Sequence, residues 1–183
     1  MNRYPDVAHC ATALVNVPAA KAFEFLADPL SLGTWSLGCM RTQAAKSGAR
    51  GATAAAARAV SAGGAVASAA GATAAAEGPY AGTSLYDDSL ASFDIRPHPK
   101  LLLIDYLVGD AGNLKPRNSV RIIAADTCDL PDGQCYVSLM AWRPARMADD
   151  RWAQLCAAHN AEIWIIKARI EGAGRAPGPE RSL

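Results

Sequence analysis

The sequence carries almost no net charge: 18 Lys and Arg stand against 17 Asp and Glu, leaving +1 at pH 7. No strong field argues for nucleic acid or an acidic membrane surface, and no basic stripe is present, so nucleic acid is not an expected partner. Long apolar runs are missing too. No segment is apolar enough for long enough to span a bilayer, and the most apolar helical stretch carries Gln154, His159, Asn160, Glu162 and Lys167. The opening MNRYPDVAHC lacks the long apolar core of a signal peptide. Cysteine is sparse and odd in number: Cys10, Cys39, Cys128, Cys135 and Cys156, with no CxxC spacing. That pattern fits buried or free thiols in a reducing compartment. Cys128 and Cys135 flank an expected hairpin turn, but nothing else looks secreted, so no disulfide is expected there. The 3 histidines, His9, His98 and His159, are too far apart for a local metal motif. GxSxG, a Walker loop, GxGxxG and HExxH are all absent. The expectation is a cytoplasmic protein with no metal, no cofactor and no membrane insertion.

The clearest element present is Asp149 to Glu171. Trp152, Leu155, Cys156, His159, Ile163, Ile166 and Ile170 recur at spacings of three and four, one face of an α-helix. Asp149 and Asp150 suit the positive end of its dipole, Lys167 and Arg169 fall in the last turn, and Gly172 is a stop. Such a helix spans roughly 30 to 35 Å, enough to cross a small sheet. Trp164 and Ile165 lie off the stripe. A locally covered surface accounts for them; a homodimer contact is the alternative.

Upstream, AHCATALVNV predicts a first strand, and Pro18 opens a short helix with Ala20, Phe23, Leu26 and Ala27 on its apolar face, ended by Asp28-Pro29. WSLGCMRT is a weak second strand, and AGTSLY a third. LASFDIR alternates as a strand with one wet face, with Pro97 and Pro99 breaking it. LLLIDYLV reads as a central strand, with Leu102, Ile104, Tyr106 and Val108 on one face and Asp105 on the other, where Arg121 is the expected ion-pair partner. NSVRIIAADT and QCYVSLMAWR complete the set. One strand, a helix, hairpin-linked strands and one long helix make an α+β layout: a curved antiparallel sheet with helices on one face. One domain over 1–171 accommodates it, followed by a disordered tail over 172–183.

Residues 43–78 differ in kind. Ala dominates, with Gly, Ser, Thr and Arg, and no apolar side chain is larger than Val60 and Val66. Alanine favours helix but buries little area, and Gly63, Gly64 and Gly71 interrupt the run, so a marginally helical or disordered insertion is expected. An Ala/Gly/Arg run is also what a GC-rich gene yields when read out of frame; resequencing tests that, and an intact frame would sink it.

The opening TALVNVPAAKAFEFLADPLSLGTW and the long helix after a strand ending WRPA resemble the SRPBCC superfamily. Its helix-grip fold is shared by START-type lipid-transfer domains, pollen-allergen-like proteins and polyketide cyclases. The matches are architectural and run from about Ala8 to Glu171, outside the insertion. The resemblance implies a helix-grip fold with a ligand cavity between the sheet and the C-terminal helix. Candidate lining residues are Trp35, Tyr106, Tyr136, Met140, Trp142, Trp152, Cys156, His159 and Ile163. For His159 the plain reading is a half-buried histidine bonded to a carbonyl or a tyrosine; the sharper one is a ligand contact or proton donor with a pKa lowered by burial. The aromatics suit either a pocket or a plain core. Three functions are open: binding of a small hydrophobic or amphipathic molecule, a polyketide cyclase, aromatase or dehydratase using His159, Tyr106 or Tyr136 as proton carriers, and an interaction protein with a filled core.

Overall fold

The computed structural model describes residues 7–44, 79–109 and 112–173. Strand β1 (Ala8–Val15) is followed by helices α1 (Ala19–Ala27) and α2 (Pro29–Leu32), then strands β2 (Met40–Ala44), β3 (Tyr80–Thr83), β4 (Leu90–His98), β5 (Leu103–Gly109), β6 (Lys115–Ala124) and β7 (Cys135–Trp142), and finally helix α3 (Asp149–Gly172). The strands form one seven-stranded sheet in the order β1-β7-β6-β5-β4-β3-β2. Every pairing is antiparallel. The expected α+β arrangement, an antiparallel sheet carrying a long C-terminal helix, is the one observed.

Period-two patterning decides which faces are inside. In β1, Ala11, Ala13 and Val15 are buried; opposite them in β7, Cys135, Val137, Leu139 and Ala141 are buried as well. These side chains, with Val120 and Ile122 of β6 and Ile104 of β5, form the inner face, and Ile163, Ile166 and Ile170 of α3 complete the core. Helix α1 seals one side through Ala22 and Leu26, with Phe23 half-buried; Ala20, placed on its apolar face by the sequence, is exposed. Asp28 ends α1 and caps α2, its Oδ1 accepting from Leu30 N–H at 2.9 Å.

Several boundaries differ from expectation for identifiable reasons. Trp35 to Cys39 is a run of turns rather than strand, and β2 starts at Met40, so Gln43 and Ala44 are paired residues and not part of an insertion. The rest of that stretch, 45–78, lies outside the described residues, as does 174–183 of the expected tail. Pro97 does not end β4. Among the described residues β3 pairs with Leu90 to Phe93 and no strand faces Pro97 on that side, where a residue without an N–H is tolerated. Before β5, Pro99–Leu101 forms a 3-10 turn closed by Leu102 in the left-handed region, at φ 48°. Asp105 does not pair with Arg121, which stands opposite Leu103; its Oδ2 lies 3.1 Å from His98 Nε2 instead. Cys128 and Cys135 are both free thiols, one exposed and one buried. Ile165 packs half-buried against the core, while Trp164 is 61% exposed.

Helix α3 is anchored at its end. Glu171 Oε1 accepts from the backbone N–H and side-chain Nδ2 of Asn16, both at 2.8 Å, and from Lys167 Nζ at 2.5 Å. Lys167 also donates to the Leu14 carbonyl. An acidic side chain near a helix C-terminus opposes the dipole; here a neighbouring cation and two N–H donors offset that.

Candidate functional site

Along α3 the character of the buried face changes. The C-terminal half presents Ile163, Ile166 and Ile170 and closes against the sheet. The N-terminal half presents Arg151, Leu155, Ala158, His159 and Glu162, and here a cavity of about 300 Å³ remains between helix and sheet. Its other walls are Tyr106 and Val108 of β5, Arg117 and Asn118 of β6, Leu139 of β7, the strand-end Trp142, and the α2–β2 turn with Trp35 and Cys39.

Glu162 is the most constrained of these groups. It is buried, and its Oε1 accepts from Leu37 N–H at 2.6 Å and from Ser36 Oγ at 3.3 Å. Burial raises its pKa, while the Leu37, Ser36 and Gly38 donors oppose the shift. The carboxyl thus ties the α2–β2 turn to α3, and with it Trp35. His159 lies one turn earlier, its Nε2 3.8 Å from Glu162 Oε2. Burial, with a smaller contribution from His9, pushes the His159 pKa down to about 4, so its imidazole is neutral at pH 7 and the contact is not an ion pair. The His9 and His159 rings lie 5.9 Å apart. Cys39, buried and near Glu162, has a thiol pushed up to about 12 and is no nucleophile.

The wall is apolar with a few uncommitted polar atoms. Trp35 Nε1, Tyr86 Oη and His159 Nδ1 are buried, belong to lining residues, and have no hydrogen-bond partner among the described residues. Tyr106 is different: its hydroxyl donates to the Leu26 carbonyl at 2.8 Å, and burial raises its pKa, so it fastens β5 to the end of α1 and keeps its proton.

Of the candidates read from sequence, Trp35, Tyr106, Trp142 and His159 line the cavity. Tyr136 and Met140 do not: they alternate with the buried Val137, Leu139 and Ala141 and lie half-buried on the outer face of β7, opposite Leu14 and Cys10. A period of two puts both on one face of the strand but does not say which face is inside. Trp152 and Ile163 are buried elsewhere, and Cys156 is half-buried, none of them on the cavity wall. Sequence reasoning missed Glu162, Arg151 and Arg117. For the helix residues a signal existed, since 151 and 162 stand four and three residues from Leu155 and His159 of the apolar stripe.

No family model matches the sequence, and no curated protein does. Solved structures do. A START superfamily protein from Mycobacterium smegmatis superposes with a TM-score of 0.56 at 8% identity, over 91% of this chain and 99% of that one. This chain has the helix-grip fold. The Zhui aromatase/cyclase from a Streptomyces species gives 0.54 at 14% identity over 93% of this chain and 97% of its own. The di-domain ARO/CYC BexL gives 0.54 at 10% identity, with 90% of this chain matching 46% of that one. At identities this low the likeness is one of fold. Among the described residues no helix is long and apolar enough to cross a membrane, and no cluster of three or more metal-ligating side chains occurs.

Proposed function

We propose that this protein binds a small hydrophobic or amphipathic molecule in the cavity between the sheet and α3. The observation that carries the reading is the wall itself. Leu32, Trp35, Val108, Leu139 and Leu155 supply apolar surface, and the uncommitted Trp35 Nε1, Tyr86 Oη and His159 Nδ1 supply a few polar atoms. Leaving a buried polar group unpaired costs about 1–3 kcal/mol, so a ligand bearing a carbonyl or hydroxyl recovers free energy as well as orientation there. A cavity of about 300 Å³ is at the small end for ligand sites and argues against a core filled by the protein's own side chains. The START superfamily and aromatase/cyclase structures of the same fold lend general support. Comparing native with denaturing mass spectra of the purified protein tests the reading. A discrete added mass supports it; no added mass, together with no uptake of a cavity-probing dye, overturns it.

A second reading, a cyclase, aromatase or dehydratase acting in the same cavity, rests on His159. Its neutral imidazole lines the cavity beside Glu162 and is free to accept a proton from a substrate held there. With a pKa near 4 it is a weak base, well below the range in which general bases work best at neutral pH, so binding is preferred over catalysis. Turnover abolished by His159→Ala in a folded protein would reverse that preference.

A further inference from the structure

Strand β6 is bulged where it meets β5. Tyr106 stands opposite Asn118 and Leu107 opposite Pro116, which leaves Arg117 without a cross-strand partner. In a regular strand adjacent side chains point to opposite faces. Arg117 and Asn118 are adjacent, yet both line the cavity. Regular alternation would send Arg117 outward, and a bulge is the irregularity that re-aims such a residue. It brings Arg117 to the same cavity as Arg151 from the first turn of α3. The Arg151 guanidinium rests 5.0 Å from the Tyr86 ring centroid and donates Nη1 to Gln154 Oε1 at 2.6 Å. Neither arginine is ion-paired to a carboxylate among the described residues. Glu162, the carboxylate lining this cavity, is already bonded to Leu37 N–H and Ser36 Oγ.

We infer that the ligand is an amphipathic acid, with its carboxylate held at the cavity mouth by Arg117 and Arg151 and its apolar body against Trp35, Val108, Leu139 and Leu155. This rests on the cavity being a ligand site, as proposed above. The placement follows from solvation. Arg117 and Arg151 are exposed, whereas Trp35 and Leu139 are buried, so the charged end stays wet while the chain is dehydrated. A guanidinium also matches a carboxylate in geometry as well as charge.

Titration of the full chain with decanoate and with decan-1-ol at low salt, followed by tryptophan emission, tests this, since Trp35 and Trp142 both line the cavity. The expected result is decanoate binding about tenfold more tightly than decanol. Arg117→Gln and Arg151→Gln should each remove most of that preference without changing decanol affinity, and Arg117→Lys should restore part of it. Circular dichroism checks that each variant is folded. Equal affinity for both probes overturns the acid assignment while leaving the cavity reading intact. A preference that persists in both glutamine variants overturns the role of the arginines. Binding of neither probe overturns both readings.

Discussion

At the scale of single residues, the buried polar groups make the sharpest predictions. The His159 pKa of about 4, against an ordinary 6.5, means the unfolded chain takes up that proton first. Its contribution to stability is complete above 6.5, is lost as the pH falls, and levels off below 4. Near pH ~4.5 the loss should reach about 2.5 kcal/mol. Glu162 acts in the opposite sense, because a raised carboxyl pKa makes ionisation above 4.5 cost stability as the pH climbs. The two are separated by urea unfolding of the wild type and His159→Gln across this range: the variant should lack the acid-side loss, and parallel curves would show that His159 is not buried neutral. Tyr106→Phe removes the donor to the Leu26 carbonyl and should cost about 1 kcal/mol, read from the shift in urea midpoint. Parity in LLLIDYLV placed Tyr106 on the inner face correctly. The same parity in QCYVSLMAWR left two choices, and Tyr136 and Met140 fell on the outside because α1 and α3 cover the face that carries Val137 and Leu139.

At the scale of elements, the tie between α3 and the α2–β2 turn is a single carboxyl. Glu162→Ala leaves the Leu37 N–H without its acceptor and should cost about 2 kcal/mol, with faster hydrogen exchange at the Leu37 amide than elsewhere in the sheet and helix. Glu162→Gln keeps an acceptor oxygen and should lose less. Equal exchange at Leu37 in all three proteins would mean that the turn holds without the helix. Helix α3 itself was legible from its first turn to its stop, because a 3.6-residue period sustained over so many turns has no other explanation. The turn was not. SLGC between Trp35 and Met40 has weak strand character, but its backbone bonds from Ser36 N–H to the Leu32 carbonyl and from Leu37 N–H to Glu162, with Trp35 edge-on against Tyr106 at a ring-centroid distance of 5.7 Å, make it a loop.

At the scale of the molecule, ligand binding should appear as stability. A probe that enters the cavity and has no affinity for the unfolded chain raises the unfolding free energy by about 2.7 kcal/mol at a hundredfold excess over its Kd. Thermal melting with increasing decanoate should therefore move steadily upward, and a midpoint independent of concentration would count against a binding cavity. The sheet order explains why the cavity lies at one end. β1 pairs with β7, the chain's first strand with its last, and α3 packs chiefly over this pair with its isoleucines toward the β1–α1 turn. The half of α3 carrying Arg151, Leu155 and His159 is then left facing β5 and β6 across open space.

The amino-acid sequence by itself determined the kinds of element, their order, the limits of α3 and the two-faced character of each strand, because these depend on propensities and periods a few residues long. The tertiary structure decided the rest. Ala8 meets Trp142, Glu162 reaches Leu37, and the β6 bulge sends Arg117 to the same cavity as Arg151. These are choices among partners far apart in the chain. A local period says that a strand has two faces and a helix a stripe; which face is buried, and where a carboxyl is held by a backbone N–H, depends on the elements that come to lie against it.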